Sequence, residues 1–306
     1  MANKKVRTLV QQPEKVDDFR EEPHSKLEIK TTHDSRRTSK ISTSKVLIDG
    51  TPYSIVEGDL LLDDDEIDLY QQHQEARIAQ REAVRFAEAV GFGEAAINIG
   101  ILGNTSLIGI VQGGKIVRWS PGTVLTYCVL RHTFPRDEWY EEVVDNMRAA
   151  TSEWEETCGI TFEYRSDLDD SGMLRPPGIV FPVRYISANG AFIASAFFPN
   201  DPVNRHRVLI DPSYFTTRFD RVGVLRHELG HVLGFRHEHI RSGAPPVCPR
   251  ESTTDTIDLT AYDPQSVMHY FCGGVGSRTL AITDVDRTGA QGVYGPPLRN
   301  FELVQL

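Results

Sequence analysis

The sequence is poor in sulfur, with four cysteines and four methionines among 306 residues. So few thiols in so long a chain exclude a disulfide scaffold, although their even number allows one or two bridges. A basic excess is also missing, because 33 Lys and Arg stand against 43 Asp and Glu and leave a net charge of −10. Phosphate neutralisation dominates nucleic-acid binding, so that class of partner is not expected. Long apolar runs are lacking too. Residues 95–112 carry no charge, but Asn98, Asn104, Thr105, Ser106, Gln112 and several glycines interrupt them, and no membrane span is expected. The opening stretch, MANKKVRTLVQQPEKVDDFREEP, has polar and charged residues where a secretory segment needs an apolar core, so no ordinary signal peptide is read. What remains is 40% hydrophobic and 25% charged, ordinary for a globular chain. The length allows roughly two domains at about 150 residues each.

The chain divides by composition. Residues 1–45 are rich in charge, Ser and Thr without a sustained period, and read as a disordered arm. From Lys45 to Leu62 an apolar stretch broken by Asp49-Gly50 and Glu57-Gly58-Asp59 predicts two short strands. The acidic run Asp63 to Glu66 suits a helix N-terminus, and Ile67, Tyr70, Ile78 and Phe86 follow at roughly helical intervals. Gly91 to Gly114 is glycine-rich, and a domain border is placed at residue 115. Beyond it the pattern is α/β. Trp139, Val143, Met147, Ala150 and Trp154 recur at helical steps and predict one buried stripe. Thr123–Leu130, Ile160–Tyr164, Ile179–Ile186, Ala191–Phe198 and Arg207–Ile210 read as strands, with Pro199-Asn200-Asp201-Pro202 as a hairpin turn. Asp167 to Gly178 begins like a calcium loop but has Gly178 where the closing Glu belongs, and is read as a solvated loop.

Between Arg226 and His239 the chain reads RHELGHVLGFRHEH. His227 and His231 stand four apart, so a helix projects both from one face at a separation that a single metal ion can bridge. Glu228 has the chemistry of a general base, able to reach a water at the metal without ligating it. Gly234 can end the helix in a left-handed turn and let His237 swing back with a third nitrogen. Three imidazoles on Zn²⁺ leave a fourth position open, which marks a catalytic rather than a closed structural site. A bare H-E-x-x-H turns up by chance in about two per cent of such chains; adding Gly234 and His237 lowers this below about one in ten thousand.

The full string resembles that of the metzincin zinc endopeptidases, and Ser266-Val267-Met268-His269-Tyr270 resembles their Met-turn. Glu238 after the third His and Tyr270 two residues past Met268 are similar to the astacin branch. Weaker likeness extends from Trp119-Ser120-Pro121-Gly122 through Thr157-Cys158-Gly159-Ile160-Thr161-Phe162 to Val293-Tyr294-Gly295. The resemblance implies an α/β (α+β) metzincin-like catalytic domain at 116–306, with a mixed twisted sheet, two long helices and an active-site cleft. It implies one catalytic Zn²⁺ on His227, His231 and His237, Glu228 as base, Met268 beneath the metal and Tyr270 as a mobile ligand that stabilises the oxyanion. Protein or peptide substrates would lie along an antiparallel edge strand carrying Phe192, Ala194 and Ala196.

Further implications concern the flanks. Val56-Glu57-Gly58-Asp59-Leu60 resembles the astacin propeptide motif, so Asp59 reads either as an inhibitory zinc ligand or as a turn residue. Under the first reading 46–115 is a prosegment, the chain is its own intramolecular inhibitor, and a cut falls between Gly91 and Trp119. No cysteine near the C-terminus can pair with Cys158 in the family's manner. Cys248 with Cys272, Cys128 with Cys158, or four reduced thiols are the alternatives. Secretion is implied by the resemblance alone. The function expected is a zinc-dependent metalloendopeptidase that hydrolyses internal peptide bonds in proteins and is made as a latent precursor. The alternatives are a noncatalytic recognition or adhesion module that keeps zinc for stability, and an effector that cleaves one partner.

Overall fold

A computed structural model describes residues 44–56, 58–68, 70–72, 107–241, 244–245, 247–248 and 256–298. The positions of Ile78, Phe86, Gly91 and Asn104, and with them most of the expected cut region, lie outside the described residues. The N-terminal part is a meander of β1 (Ser44–Ile48), β2 (Thr51–Val56) and β3 (Leu60–Leu62), three strands where two were expected. Asp49 and Gly50 both take positive φ, the backbone of a tight hairpin turn between β1 and β2. The acidic run caps the helical residues that follow. Glu66 N donates to Asp63 Oδ1 at 3.0 Å and Asp63 N to Glu66 Oε2 at 2.9 Å, a reciprocal capping box.

Then come β4 (Ile108–Gln112) and β5 (Lys115–Ile116), followed by β6 (Val124–Val129), helix α1 (Asp137–Thr157) and β7 (Thr161–Tyr164). β8 (Phe181–Tyr185), β9 (Ala194–Ser195) and β10 (Val208–Ile210) lead to helix α2 (Arg221–Val232). β11 (Phe235–Arg236), β12 (Thr256–Asp258) and helix α3 (Asp284–Tyr294) complete the order.

The central sheet has the strand order β7-β6-β8-β10-β9. Its pairings are parallel except for β9, which runs antiparallel to β10 at the edge. The expected strand at Ala191–Phe198 is cut to two residues, because only Ala194 and Ser195 find partners on the three-residue β10. Its chain returns through Pro199 to Pro202, as the turn residues suggest. Asn189 and Gly190 both have positive φ, the local geometry of a tight turn, yet the strands on either side pair elsewhere.

α1 buries Tyr140, Val143, Met147, Ala150 and Trp154 against α2 and the sheet. Trp139 sits at the margin of that stripe and stacks on Phe215 at 4.0 Å. Trp154 Nε1 donates to the Arg226 carbonyl at 2.9 Å, which locks the middle of α2 to the end of α1 while satisfying the buried indole. A separate sheet joins β4 to both β11 and β12. Leu107, fully buried, packs in the main core just before β4. No helix among the described residues is long and apolar enough to cross a membrane.

Candidate metal centre

α2 begins where Asp220 accepts a hydrogen bond from Gly223 N at 2.6 Å, an N-cap that satisfies one of the helix's orphan donors. The helix carries His227, Glu228 and His231, all buried, on its second half. It stops at Gly234, whose φ of +91° is easy only for glycine and whose Cβ position lies 2.9 Å from the Val117 carbonyl oxygen. β11 then pairs with β4, Phe235 opposite Gly109 and Arg236 opposite Ile108, and this ladder delivers the buried His237.

Two of the imidazoles are oriented from behind. His227 Nδ1 lies 2.7 Å from the Val267 carbonyl and His231 Nδ1 lies 2.8 Å from the Phe235 carbonyl. A carbonyl can only accept, so each Nδ1 carries the hydrogen and each Nε2 keeps its lone pair for a ligand. Burial also drives His231 down to about 4, against the upward pull of Asp59, which makes its imidazole neutral at pH 7.

The Met-turn closes the site from below. Ser266 Oγ and Val267 N donate to the Asp286 carboxylate at 2.5 and 2.8 Å, and Asp286 is itself part of the Thr283 capping box that starts α3. Met268 returns its carbonyl to Glu238 N at 2.8 Å, tying the turn to the residue after His237. Its sulfur packs on α2 at Gly230, where a Cβ would lie 2.3 Å away. Burial pushes Glu238 up to about 8, partly offset by Arg241, whose Nε is 3.2 Å from Oε2.

Asp59 enters from the N-terminal meander. Its Oδ2 lies 3.2 Å from His237 Nε2, 3.4 Å from His227 Nε2 and 3.8 Å from His231 Nε2, and Tyr270 Oη donates to the same oxygen. Gly58 permits this approach, since at φ +95° its Cβ position would fall 2.9 Å from Tyr270 Oη. One ligand atom from each of Asp59, His227, His231 and His237 lies within 4.8 Å of all the others. His227 Nε2 and Asp59 Oδ1 are buried without a hydrogen bond, an expensive state for polar atoms unless something else binds them. Three nitrogens and a carboxylate oxygen suit Zn²⁺, so the donor set fits that ion.

Glu228 stands beside the cluster, 2% exposed. Burial and then the Asp59 charge hold its carboxyl well above the usual range, with His237 pulling the other way. Asp59 moves oppositely: burial opposes its ionisation, but the charge of His237 and the close approach of the three imidazoles outweigh that and hold it low.

The remaining expected residues separate. Phe192 and Ala194 line the cavity next to Glu228, whereas Ala196 lines a second, smaller cavity with Ser195, Arg205 and Arg207. The disulfide is Cys248–Cys272; Cys128 and Cys158 are free and buried, in different parts of the core, so the second pairing is not made. His239 and His269 are buried beside the cluster, with His239 stacked on Tyr270 at 4.5 Å and His269 Nε2 2.8 Å from Tyr262 Oη. Sequence reasoning missed Arg184 and Arg205. Arg184 pairs with Asp49, and Arg205 pairs with Glu66 and Asp63 while donating to the Leu61 carbonyl at 2.6 Å, so two buried guanidiniums hold the meander. Their carboxylate partners precede them by well over a hundred residues, and no local pattern carries such a signal.

The chain has a mixed α/β fold in which His227, His231 and His237 converge beside Glu228. Among solved structures it is similar to myroilysin, at 19% identity over 63% of this chain and 100% of that one, with a TM-score of 0.45. It is also similar to high choriolytic enzyme 1, a hatching-enzyme zinc-protease from the medaka fish Oryzias latipes, at 19% identity over 56% and 90% of the two chains, with a TM-score of 0.38. No protein-family model and no curated protein matches the chain.

Proposed function

We propose that the protein is a zinc-dependent metalloendopeptidase made as a latent precursor. The observation that carries this reading is the convergence of Asp59, His227, His231 and His237 within 4.8 Å, with the buried Glu228 alongside. His227, His231 and His237 would hold the ion. Bound there, zinc would supply Lewis acidity, polarising a peptide carbonyl and making a water easier to deprotonate. Glu228 takes the proton as that water attacks and returns it to the departing amine, so the peptide C–N bond breaks and the base is restored. Tyr270, once released from Asp59, donates its hydroxyl hydrogen to the negative oxygen of the tetrahedral intermediate.

Asp59 is the blocking group in this reading, held by the meander that Arg184 and Arg205 clamp. The prosegment is proposed at 46–115, with the activating cut between Gly91 and Trp119. The Cys248–Cys272 bridge favours an oxidising compartment, and secretion is proposed on that ground.

The test is incubation of the purified chain with a peptide library, with and without chelator, read by mass spectrometry. Chelator-sensitive cleavage of internal bonds is expected, and Glu228→Gln should keep zinc while losing hydrolysis. A zinc-loaded chain that unfolds on chelation but cleaves nothing, with Asp59 intact or replaced by Ala, would instead indicate a noncatalytic module.

A further inference from the structure

The central sheet has two faces, and the helices pack on one of them. Val183, Ala194, Val208 and Ile210 point into the main core, so the period-two alternation of β8, β9 and β10 turns Arg184, Ser195 and Leu209 to the opposite face. These three stand abreast, since Leu209 is opposite Arg184 in β8 and opposite Ser195 in β9. The meander covers that row, with Ile48, Tyr53, Ile55 and Leu61 packed in one cluster with Leu209, Phe192 and Ala188.

Arginines gather at the same place. Arg184 Nη1 donates to Asp49 Oδ1 at 3.0 Å, and the Arg205 and Arg207 guanidiniums lie 5.5 and 5.2 Å from the centre of the Tyr53 ring. The hydrogen bond from Arg184, with the charge of Arg207 added, holds the Asp49 carboxyl below its ordinary value. Asp49, Asp63 and Glu66 all lie in the prosegment, so when it goes, every ion pair that Arg184 and Arg205 make among the described residues goes with it. On the catalytic side Asp201 interacts with Arg205 and Arg207, but burial raises its carboxyl and its Oδ2 accepts from Phe198 N at 2.8 Å. The uncovered face joins apolar surface to three guanidiniums, a combination suited to carboxylates and aromatic rings together. Phe192 belongs to this cluster and also lines the cavity beside Glu228, so the face runs into the catalytic cleft.

We infer that, after the prosegment leaves, this face is an exosite for an acidic segment of the protein substrate that carries an aromatic side chain, held while a separate bond is cut. The inference rests on the peptidase reading and adds its substrate class. A carboxylate of the substrate takes the place of Asp49 against Arg184 and Arg207, and an aromatic ring takes the place of Tyr53 against Arg205 and Arg207. The hairpin β1–β2 therefore shows the spacing that such a segment needs.

The probes are two peptide substrates with one intended cleavage bond, joined through a Gly/Ser linker to a tail copying residues 44–56 or to the same tail with Asn for Asp49 and Leu for Tyr53. Both are given to the chain after its activating cut and to the uncut Asp59→Ala variant, in which the meander still covers the face. In the cut chain the copied tail should lower KM about tenfold relative to the altered tail, and Arg207→Ala or Arg184→Ala should bring that ratio toward one. In uncut Asp59→Ala the ratio should be close to one. The altered tail tests the charge and the ring without changing the protein. Equal KM values in the cut chain, a ratio that both arginine variants leave intact, or a cut chain that keeps its prosegment and its latency while Asp59→Ala is active, overturns the inference and leaves the peptidase reading standing. Cleavage of neither substrate by either protein overturns both.

Discussion

Gly230→Ala should destabilise the protein although alanine is the better helix former. The new methyl group would sit 2.3 Å from Met268 Sδ, 3.2 Å from its Cε and 3.5 Å from Trp154 Cζ2. Ordinary carbon contacts are about 3.5–4.0 Å, so Met268 has to give way by more than an ångström. Overpacking of this kind costs about 1–3 kcal/mol, against a helix-propensity gain of about 1 kcal/mol. The net expectation is a loss of up to about 2 kcal/mol. Met268 also returns its carbonyl to Glu238 N, next to His237, so a displaced Met-turn should weaken zinc binding as well. Urea unfolding and zinc titration measure the two effects. Met268→Ala leaves room for the added methyl, so the double variant should be less damaged than the sum of the singles, with a coupling of about 0.5–3 kcal/mol. A Gly230→Ala protein as stable as the parent, with unchanged zinc affinity and additive behaviour in the cycle, would refute the role given to Met268.

Two further outcomes follow from buried groups. Asp59→Ala should raise the activity of the uncut chain, by about tenfold if the blocked form holds about nine-tenths of the population; unchanged latency in a peptide assay would remove Asp59 as the blocking group. Burial pushes both the Cys128 and Cys158 thiols up to about 12, so neither is thiolate near neutral pH. The folded protein should therefore resist maleimide below about pH 9, and both cysteines should label on unfolding; fast labelling of the folded state, read by intact mass, would contradict their burial.

What the sequence disclosed was local in origin. The pair His227 and His231 needs only the helical period, and Gly234 needs only its freedom at positive φ. The α1 stripe through Val143, Met147, Ala150 and Trp154 follows the same rule. The Asp63–Glu66 box is likewise written in four residues. Longer-range features were hidden. β4 looks like glycine-broken linker until Ile108 and Gly109 find Arg236 and Phe235, more than a hundred residues later. β9 begins opposite the last residue of β10, Ala194 against Ile210, and nothing between Ala191 and Phe198 sets its length. Val224 and Leu280 are ordinary apolar residues in sequence, and only the approach of Thr279 to Gly223 makes them two walls of one space.

The central claim is that three imidazoles and one carboxylate of this chain share a zinc ion. Zinc-edge X-ray absorption of the full-length protein tests it most directly. The account requires one zinc per chain with a shell of nitrogen and oxygen neighbours at about 2.0–2.2 Å, three of them imidazole, and the imidazole signal falling when His237 is replaced by Ala. A sulfur shell near about 2.3 Å, or a zinc content unaffected by loss of His237, would contradict it.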